Sequence, residues 1–376
     1  MTVDASKQDF NEAADPAPAD TAPTHSAAHH GTLITRRLFV AYTAAALLAS
    51  AGLSGCASSE PRYSVASSLS SDELLEASDR SASPEDIGPP RHLARLAVIG
   101  DTHVTASFEP GVMHTRAAFQ AITQFDPQPD AIIINGDITD HGLEEEYDLV
   151  TQLAAEAGLQ FPGSFVPVMG NHEQRGGFTE FSPEVYQLQR DLFLRRCQLN
   201  RLYYDTEVGG QHLIALGPDA DPENWWTFRL SAEQLSWLDD LLARDAEQSR
   251  RSFVFLHQPA RDTVLYTHED ELAQYALESS EGLLAVVNKY RDVILLTGHS
   301  HSPNDFQRPD PAGPLFVANS AIAYLRTDAH DSTVGDTTMS RGLIIDVFTD
   351  RTEFTAWDYA IGDTADTGTY TLSREF

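Results

Sequence analysis

From residue 93 onward the sequence predicts an α/β protein, and three observations carry that prediction. Short apolar runs alternate with amphipathic stretches of helical period. Most of the runs are continuously apolar, the pattern of strands covered on both faces. Five of them are followed within a few residues by a carboxylate, an amide or an imidazole, four of them through a glycine.

The elements follow in order. A strand over Leu93–Ile99 runs into Gly100, Asp101 and His103, and a helix is expected over His114–Phe125. A strand over Ala131–Ile134 leads to Gly136 and Asp137, and the next helix covers Glu144–Ala157. The strand Phe165–Met169 ends on Gly170, Asn171 and His172, ahead of a helix over Pro183–Gln198 on which Cys197 reads as a buried thiol. After a strand over Gln211–Leu216 comes the clearest helix, Ala232–Arg244. There Ser231 and Gln234 have the spacing of a capping box, and Leu235, Leu238, Leu241 and Leu242 share one face. The strand Phe253–Leu256 precedes His257, a helix is expected over Glu269–Tyr290, and the strand Val293–Leu296 precedes Gly298, His299 and His301. Strands over Leu315–Ala318, Gly342–Phe348 and Arg351–Trp357 complete the series. The polar segment 323–340 is expected to form a loop near the functional edge.

In open α/β sheets ligands bind at the carboxyl ends of the strands. Here that edge would carry Asp101, His103, Asp137, Asn171, His257, His299 and His301, with Gly100, Gly136, Gly170 and Gly298 turning the chain. Imidazole, carboxylate and amide oxygen together suit Mn, Fe or Zn. The two cysteines, Cys56 and Cys197, exclude a four-thiolate cage and a disulfide framework. A formal net charge of -31 excludes a sequence-independent grip on nucleic acid, so no nucleic-acid partner is expected.

The first ninety residues read differently. Residues 1–31 lack hydrophobic periodicity, as disordered segments do. Arg36 and Arg37, followed by the apolar run Leu38–Leu53, resemble a twin-arginine export signal, and Leu53-Ser54-Gly55-Cys56 resembles a lipobox. These resemblances imply export and a membrane anchor through lipidated Cys56; an uncleaved anchor helix is the alternative. Residues 57–92, rich in Ser, Ala, Pro and acidic residues, form a flexible linker ahead of a domain over 93–376.

The ordered set Asp101-Thr102-His103, Gly136-Asp137, Gly170-Asn171-His172-Glu173, His257 and Gly298-His299-Ser300-His301 resembles the motifs of the calcineurin-like metallophosphoesterases. The resemblance implies a four-layer α/β/β/α sandwich with mixed sheets and two divalent metal ions. One ion would take Asp101, His103, Asp137 and His301, and the other Asp137, Asn171, His257 and His299. It also implies hydrolysis of a small phosphodiester or phosphomonoester by metal-activated hydroxide, with His172 steadying developing charge or protonating the leaving oxygen. Asp140, where purple acid phosphatases have Tyr, separates the chain from that branch. The compact phosphodiesterase or phosphatase branch remains, and no protein partner is predicted. A second class of function is a surface lipoprotein that uses the fold as a non-catalytic binding module; the intact ligand set and His172 tell against it.

Candidate substrate contacts are fewer. Arg175 has the chemistry to clamp a phosphate oxygen. One of Trp225 and Trp226 is expected to plug the core, and His114, His141 and His268 are expected to face solvent.

Overall fold

The computed structural model describes residues 89–376 apart from 177–181, 220–225, 227, 273–275, 332 and 374–376. The twin-arginine-like segment, Cys56 and Trp225 therefore lie outside the described residues.

Two six-stranded sheets carry the domain. The first comprises β1 (His92–Ile99), β2 (Ala131–Asn135), β3 (Phe165–Val168), β12 (Arg341–Phe348), β13 (Arg351–Asp358) and β14 (Asp363–Ser373), in the order β14-β13-β12-β1-β2-β3. The second comprises β4 (Tyr204–Val208), β5 (Gln211–Ala215), β6 (Ser252–Leu256), β7 (Val293–Thr297), β8 (Asp305–Gln307) and β9 (Leu315–Ala318), in the order β4-β5-β6-β7-β9-β8. Strands β1, β2 and β3 are parallel, as are β5, β6, β7 and β9, and antiparallel strands flank each parallel block. The parallel blocks follow from the crossover connections between them, and the antiparallel β12–β13–β14 meander from its short turns.

The helices are α1 (Glu109–Ile122), α2 (Glu144–Glu156), the single-turn α3 (His172–Arg175), α4 (Pro183–Arg196), α5 (Ala232–Glu247) and α6 (Ser280–Val287). Burial assigns them to layers. Leu96, Val98 and Ile133 of the first sheet meet Phe253, Phe255, Ile294 and Leu296 of the second in one apolar cluster. Their strand neighbours Ala97, Ile99, Ile132 and Ile134 point the other way, onto Phe119 of α1, Val150 of α2 and Phe193 of α4. Ile214, Val254 and Leu295 do the same on the second sheet, against Leu238, Leu242 and Leu283 of α5 and α6. The result is a four-layer α/β/β/α sandwich with mixed sheets, and the continuous apolar runs of the sequence are strands buried on both faces.

Several expectations are corrected. Of the helix expected over Glu269–Tyr290 the described residues form only α6; residues 273–275 lie outside the description, and described residues on either side of them are held in turns. Glu271 accepts from the amides of Tyr266 and His268, Leu277 N–H donates to Pro259, and the Ser280 hydroxyl is bonded to Leu277. Helix α1 starts five residues before the expected His114, with Glu109 and Pro110 in its first turn. The capping box of α5 forms only by half. Ser231 Oγ accepts from Gln234 N–H at 3.0 Å, but the Gln234 side chain is diverted to both backbone groups of Gly217. His114 is buried, its Nδ1 bonded to the carbonyls of Ile322 and Ala323, which ties α1 to the segment after β9. Of the two tryptophans, Trp226 is 46% exposed and is not the one in the core, while Trp225 lies outside the described residues. Strands β4, β8 and β14 were not expected, nor was the short pair β10 (Leu325–Arg326) and β11 (Gly335–Asp336) inside the expected loop 323–340; β14 is an edge strand rich in Thr and Asp whose exposed face lacks an apolar alternation. Cys197 is buried at the end of α4, and among the described residues no helix is long and apolar enough to cross a membrane.

Candidate metal centre

All seven expected ligand residues meet at the carboxyl ends of the two parallel blocks. Asp101 and His103 follow β1, Asp137 follows β2, Asn171 follows β3, His257 follows β6, and His299 and His301 follow β7. Every one is buried, with at most 7% of its surface exposed.

The turns that deliver them are not made by glycine conformational freedom alone. Of the four glycines, only Gly136 has positive φ, at +84°. Asp101, His103, Asp137, His299 and His301 themselves adopt φ of 42–63°, half of the ten non-glycine residues that do so among those described. Left-handed backbone costs such residues roughly 1 kcal/mol each. Backbone bonds hold the strained turns: Asp101 N–H donates to Gly136 O, and Thr102 and His103 N–H donate to Asp137 O, at 2.9–3.0 Å.

The ring nitrogens are sorted by their partners. His301 Nδ1 donates to Tyr324 O at 2.9 Å, leaving Nε2 3.1 Å from Asp101 Oδ1 and 3.1 Å from His103 Nε2. His257 Nδ1 donates to Asn135 O at 2.8 Å, leaving Nε2 3.1 Å from Asp137 Oδ2 and 3.2 Å from Asn171 Oδ1. His103 Nδ1 lies 3.2 Å from Asp140 Oδ1. Asp137 Oδ1 accepts from His172 N–H at 2.9 Å. Its Oδ2 is left facing His257, His103 and His172 at 3.1, 3.8 and 4.0 Å, a position shared by both clusters.

Two groups of ligand atoms result, Asp101–His103–His301 and Asp137–His257–His299. They fit divalent cations of the Mn, Fe or Zn type. Carbonyl or carboxylate partners on Nδ1 orient the rings as outer partners of metal-bound histidines do, and two imidazole nitrogens face one another at 3.1 Å with no donor fixed between them. A third group, His103–Asp140–His172, shares His103 with the first.

Electrostatics agree with this sorting. Burial alone would raise the carboxyls of Asp101 and Asp137, but His301 and His257 beside Asp101, and His257 and His172 beside Asp137, hold both below the usual range. Burial favours neutral His257 and His172, yet neighbouring carboxylates, Asp137 first in each case, push both up to about 9. His299, lowered by burial and then by His257, is a neutral ring. His257 Nε2 thus faces two oxygens, Asp137 Oδ2 and Asn171 Oδ1, a place where positive charge is favoured.

His172 opens α3 with 19% of its side chain exposed, Nδ1 bonded to Asp140 O at 2.7 Å and lying 3.1 Å from Asp140 Oδ1. Arg175 ends the same turn of helix, half-buried. His141 pairs with Glu146 at 2.8 Å, and His268 is 3.6 Å from Asp262. Neither belongs to the ligand groups, although His141 Nδ1 also lies 3.4 Å from Asp140 Oδ2.

Four residues were missed as site residues. Asp140 bonds both His103 and His172, and those rings hold its carboxyl far below the usual range in spite of burial. Glu173, fully buried, accepts from Thr139 N–H, Thr139 Oγ1 and Gly170 N–H, locking the β2 and β3 turns together; burial and then Asp137 push it up to about 7. Gln258 is buried next to His299 and binds Trp226 O. Tyr324 packs on His301 with ring centroids 4.2 Å apart. The first two had a signal in the motifs themselves, three residues after Asp137 and one after His172. Tyr324 had none, since its partners lie more than twenty residues away.

Residues 94–303 match the calcineurin-like phosphoesterase family. A glycerophosphodiester phosphodiesterase of Enterobacter lignolyticus is 25% identical over 182 residues, 46% of this chain and 57% of that one. A cAMP/cGMP dual specificity phosphodiesterase of Mycobacterium tuberculosis is 27% identical over 187 residues, 48% of this chain and 52% of that one. The chain thus spans little more than half the length of these relatives. Among solved structures, a dimetal phosphatase from Danio rerio superposes with a TM-score of 0.56 at 13% identity, covering 76% of this chain and 100% of that one. A purple acid phosphatase from yellow lupin gives 0.52 at 15% identity, over 75% and 54%. These two establish likeness of fold alone.

Proposed function

Since the chain belongs to the calcineurin-like phosphoesterase family, we propose that it is a metal-dependent phosphoric ester hydrolase acting on a small phosphodiester in preference to a monoester. The observation that carries this reading is the convergence of seven buried ligand residues, five of them in left-handed backbone that folding alone does not favour. Strain concentrated on ligands is expected of a site built for binding rather than for stability.

Asp101, His103, Asp137 and His301 would hold one divalent cation, and Asp137, Asn171, His257 and His299 the second. When bound, such a pair supplies Lewis acidity toward the phosphoryl oxygens and a nucleophilic water of lowered pKa. The chain does the rest. Two carboxylates against two divalent charges leave the site electropositive, so an anionic ester is drawn to one spot on an acidic protein. His172, anchored through Nδ1 on Asp140 and with Nε2 4.0 Å from Asp137 Oδ2, is the group that would give a proton to the leaving oxygen. Asp140 acts through His103 and His172 as a positioning residue.

Preference for a diester is supported by the relatives, which are named as phosphodiesterases of glycerophosphodiesters and cyclic nucleotides. Large nucleic acids are disfavoured by the charge. The deciding experiment strips the full chain of metal, restores Mn, and compares bis(p-nitrophenyl) phosphate with p-nitrophenyl phosphate. Activity only with metal, higher on the diester, is expected. No turnover of either ester by protein holding two metals would move the reading to a binding module.

We also propose that the protein is exported and held at the membrane through lipidated Cys56, on the strength of the Arg36-Arg37 and Leu53–Cys56 motifs. Palmitate labelling that persists in Cys56→Ser would refute the anchor.

A further inference from the structure

The segment 323–340, expected only to lie near the site, has a specific relation to it. Leu325–Arg326 and Gly335–Asp336 pair as a short hairpin, β10 and β11, directly after Tyr324. The Tyr324 carbonyl accepts from His301 Nδ1, and Arg326 N–H donates to His301 O, so the hairpin is bonded to both sides of one ligand residue. The Tyr324 ring spreads over the first ligand cluster, with centroids 4.2 Å from His301 and 5.9 Å from His103. Phe108 closes on it edge-first at 6.1 Å.

Against the Cδ2–Cε2 edge of the ring stands Gly335. A Cβ there would come within 2.9 Å of Tyr324 Cδ2 and 3.4 Å of Cε2. The backbone at Gly335 is not left-handed, so what demands glycine is the nearness of the ring. The ring is therefore clamped between a ligand and a bare stretch of backbone. Its hydroxyl, by contrast, makes no hydrogen bond to any described residue, although the side chain is largely covered and lies in the field of Arg326, Asp101, Asp137 and Asp140. A tyrosine fixed this closely while its hydroxyl is left unbonded is placed to offer that hydroxyl to something else.

We propose that Tyr324 is a substrate-contacting residue whose hydroxyl donates a hydrogen bond to a non-bridging oxygen of the phosphoryl group bound over His103 and His301, with Gly335 keeping the ring in place. This rests on the phosphoesterase reading of the same site. It adds a hydrogen-bond donor at the first cluster and gives the hairpin its purpose.

The test compares wild-type full chain, Tyr324→Phe and Gly335→Ala, each loaded with Mn. Three quantities are read: bound metal, the dissociation constant of inorganic phosphate, and kcat/KM for bis(p-nitrophenyl) phosphate. Tyr324→Phe keeps the ring and its packing, so bound metal should not change. Phosphate binding should weaken roughly tenfold or more, as expected for losing a hydrogen bond to a charged group, and kcat/KM should fall at least as far. Gly335→Ala retains the hydroxyl but displaces the ring, and should shift phosphate binding in the same direction. Phosphate affinity in Tyr324→Phe within twofold of wild type overturns the proposal while leaving the phosphoesterase intact. A wild-type protein that holds two metals but neither binds phosphate nor turns over the ester overturns the reading of the site and this proposal with it.

Discussion

Gly170→Ala is the perturbation in which structure makes the sharpest demand. Gly170 lies two residues past β3 and one before Asn171, and its backbone φ is not left-handed, so an alanine is conformationally acceptable there. Space is the obstacle. A Cβ would lie 2.1 Å from both the backbone nitrogen and Oδ1 of Asp137, whereas ordinary contact begins at 3.4 Å. One of the two turns must therefore move by about 1.3 Å. Neither is free to do so: Gly170 N–H is bonded to Glu173, and Asp137 Oδ1 accepts from His172 N–H in the same space. A displacement near 1 Å at a reacting centre costs on the order of 100-fold in rate. Because the residue displaced is the carboxylate common to both clusters, Mn affinity should drop by roughly tenfold or more as well. The assay is Mn titration by calorimetry together with kcat/KM on bis(p-nitrophenyl) phosphate. Gly158→Ala is the control, since Gly158 has φ of +78° but nothing within 4 Å of the added Cβ. It should lose roughly 1 kcal/mol of stability and no activity. Wild-type metal affinity and turnover in Gly170→Ala would refute the reasoning. Equal losses in both variants would do so too, because strain rather than encroachment would then be the cause.

Three further predictions concern separate parts of the molecule. His172→Ala should retain both metals and lose on the order of 100-fold in kcat, more on an ester with an alkyl leaving group than on a nitrophenyl ester; equal losses on the two would remove its role as proton donor. Mn should raise Tm of the wild type, while Asp137→Asn, which weakens the carboxylate common to both clusters, should show little of that rise in a thermal-shift titration. Away from the site, His212 Nδ1 meets Asp245 Oδ2 at 2.5 Å, and after burial, which opposes both shifts, this contact raises the imidazole and lowers the carboxyl. A raised His212 stabilises fully below about pH 6.5 and loses that contribution as pH climbs through its folded value; a lowered Asp245 contributes above about pH 3.9 and loses it on acidification. His212→Gln should therefore cost on the order of 1 kcal/mol between about pH 4 and 6.5, and less at pH 8, in urea titrations across that range.

Much of the centre was legible from residues 93–301 alone, for a local reason. A strand buried on both faces is a continuous apolar run, and the residues just past its end must leave the sheet, so Asp101, Asp137, Asn171, His257 and His299 announce their own positions. Chain order likewise decides that strands joined by crossovers run parallel and deliver those residues to one edge. Tertiary structure decided what no local pattern encodes. His257 meets Asp137 and Asn171 only because the second sheet packs on the first through Phe255, Leu296 and Val98. His114 is buried because the segment after β9 returns to it, and Gln234 leaves its capping role because it bonds both backbone groups of Gly217. The left-handed backbone of the ligands, and the ring of Tyr324 held between His301 and Gly335, exist only once distant segments supply the hydrogen bonds and contacts that outweigh their strain. Those contacts join residues far apart in sequence, and periodicity reports only on neighbours.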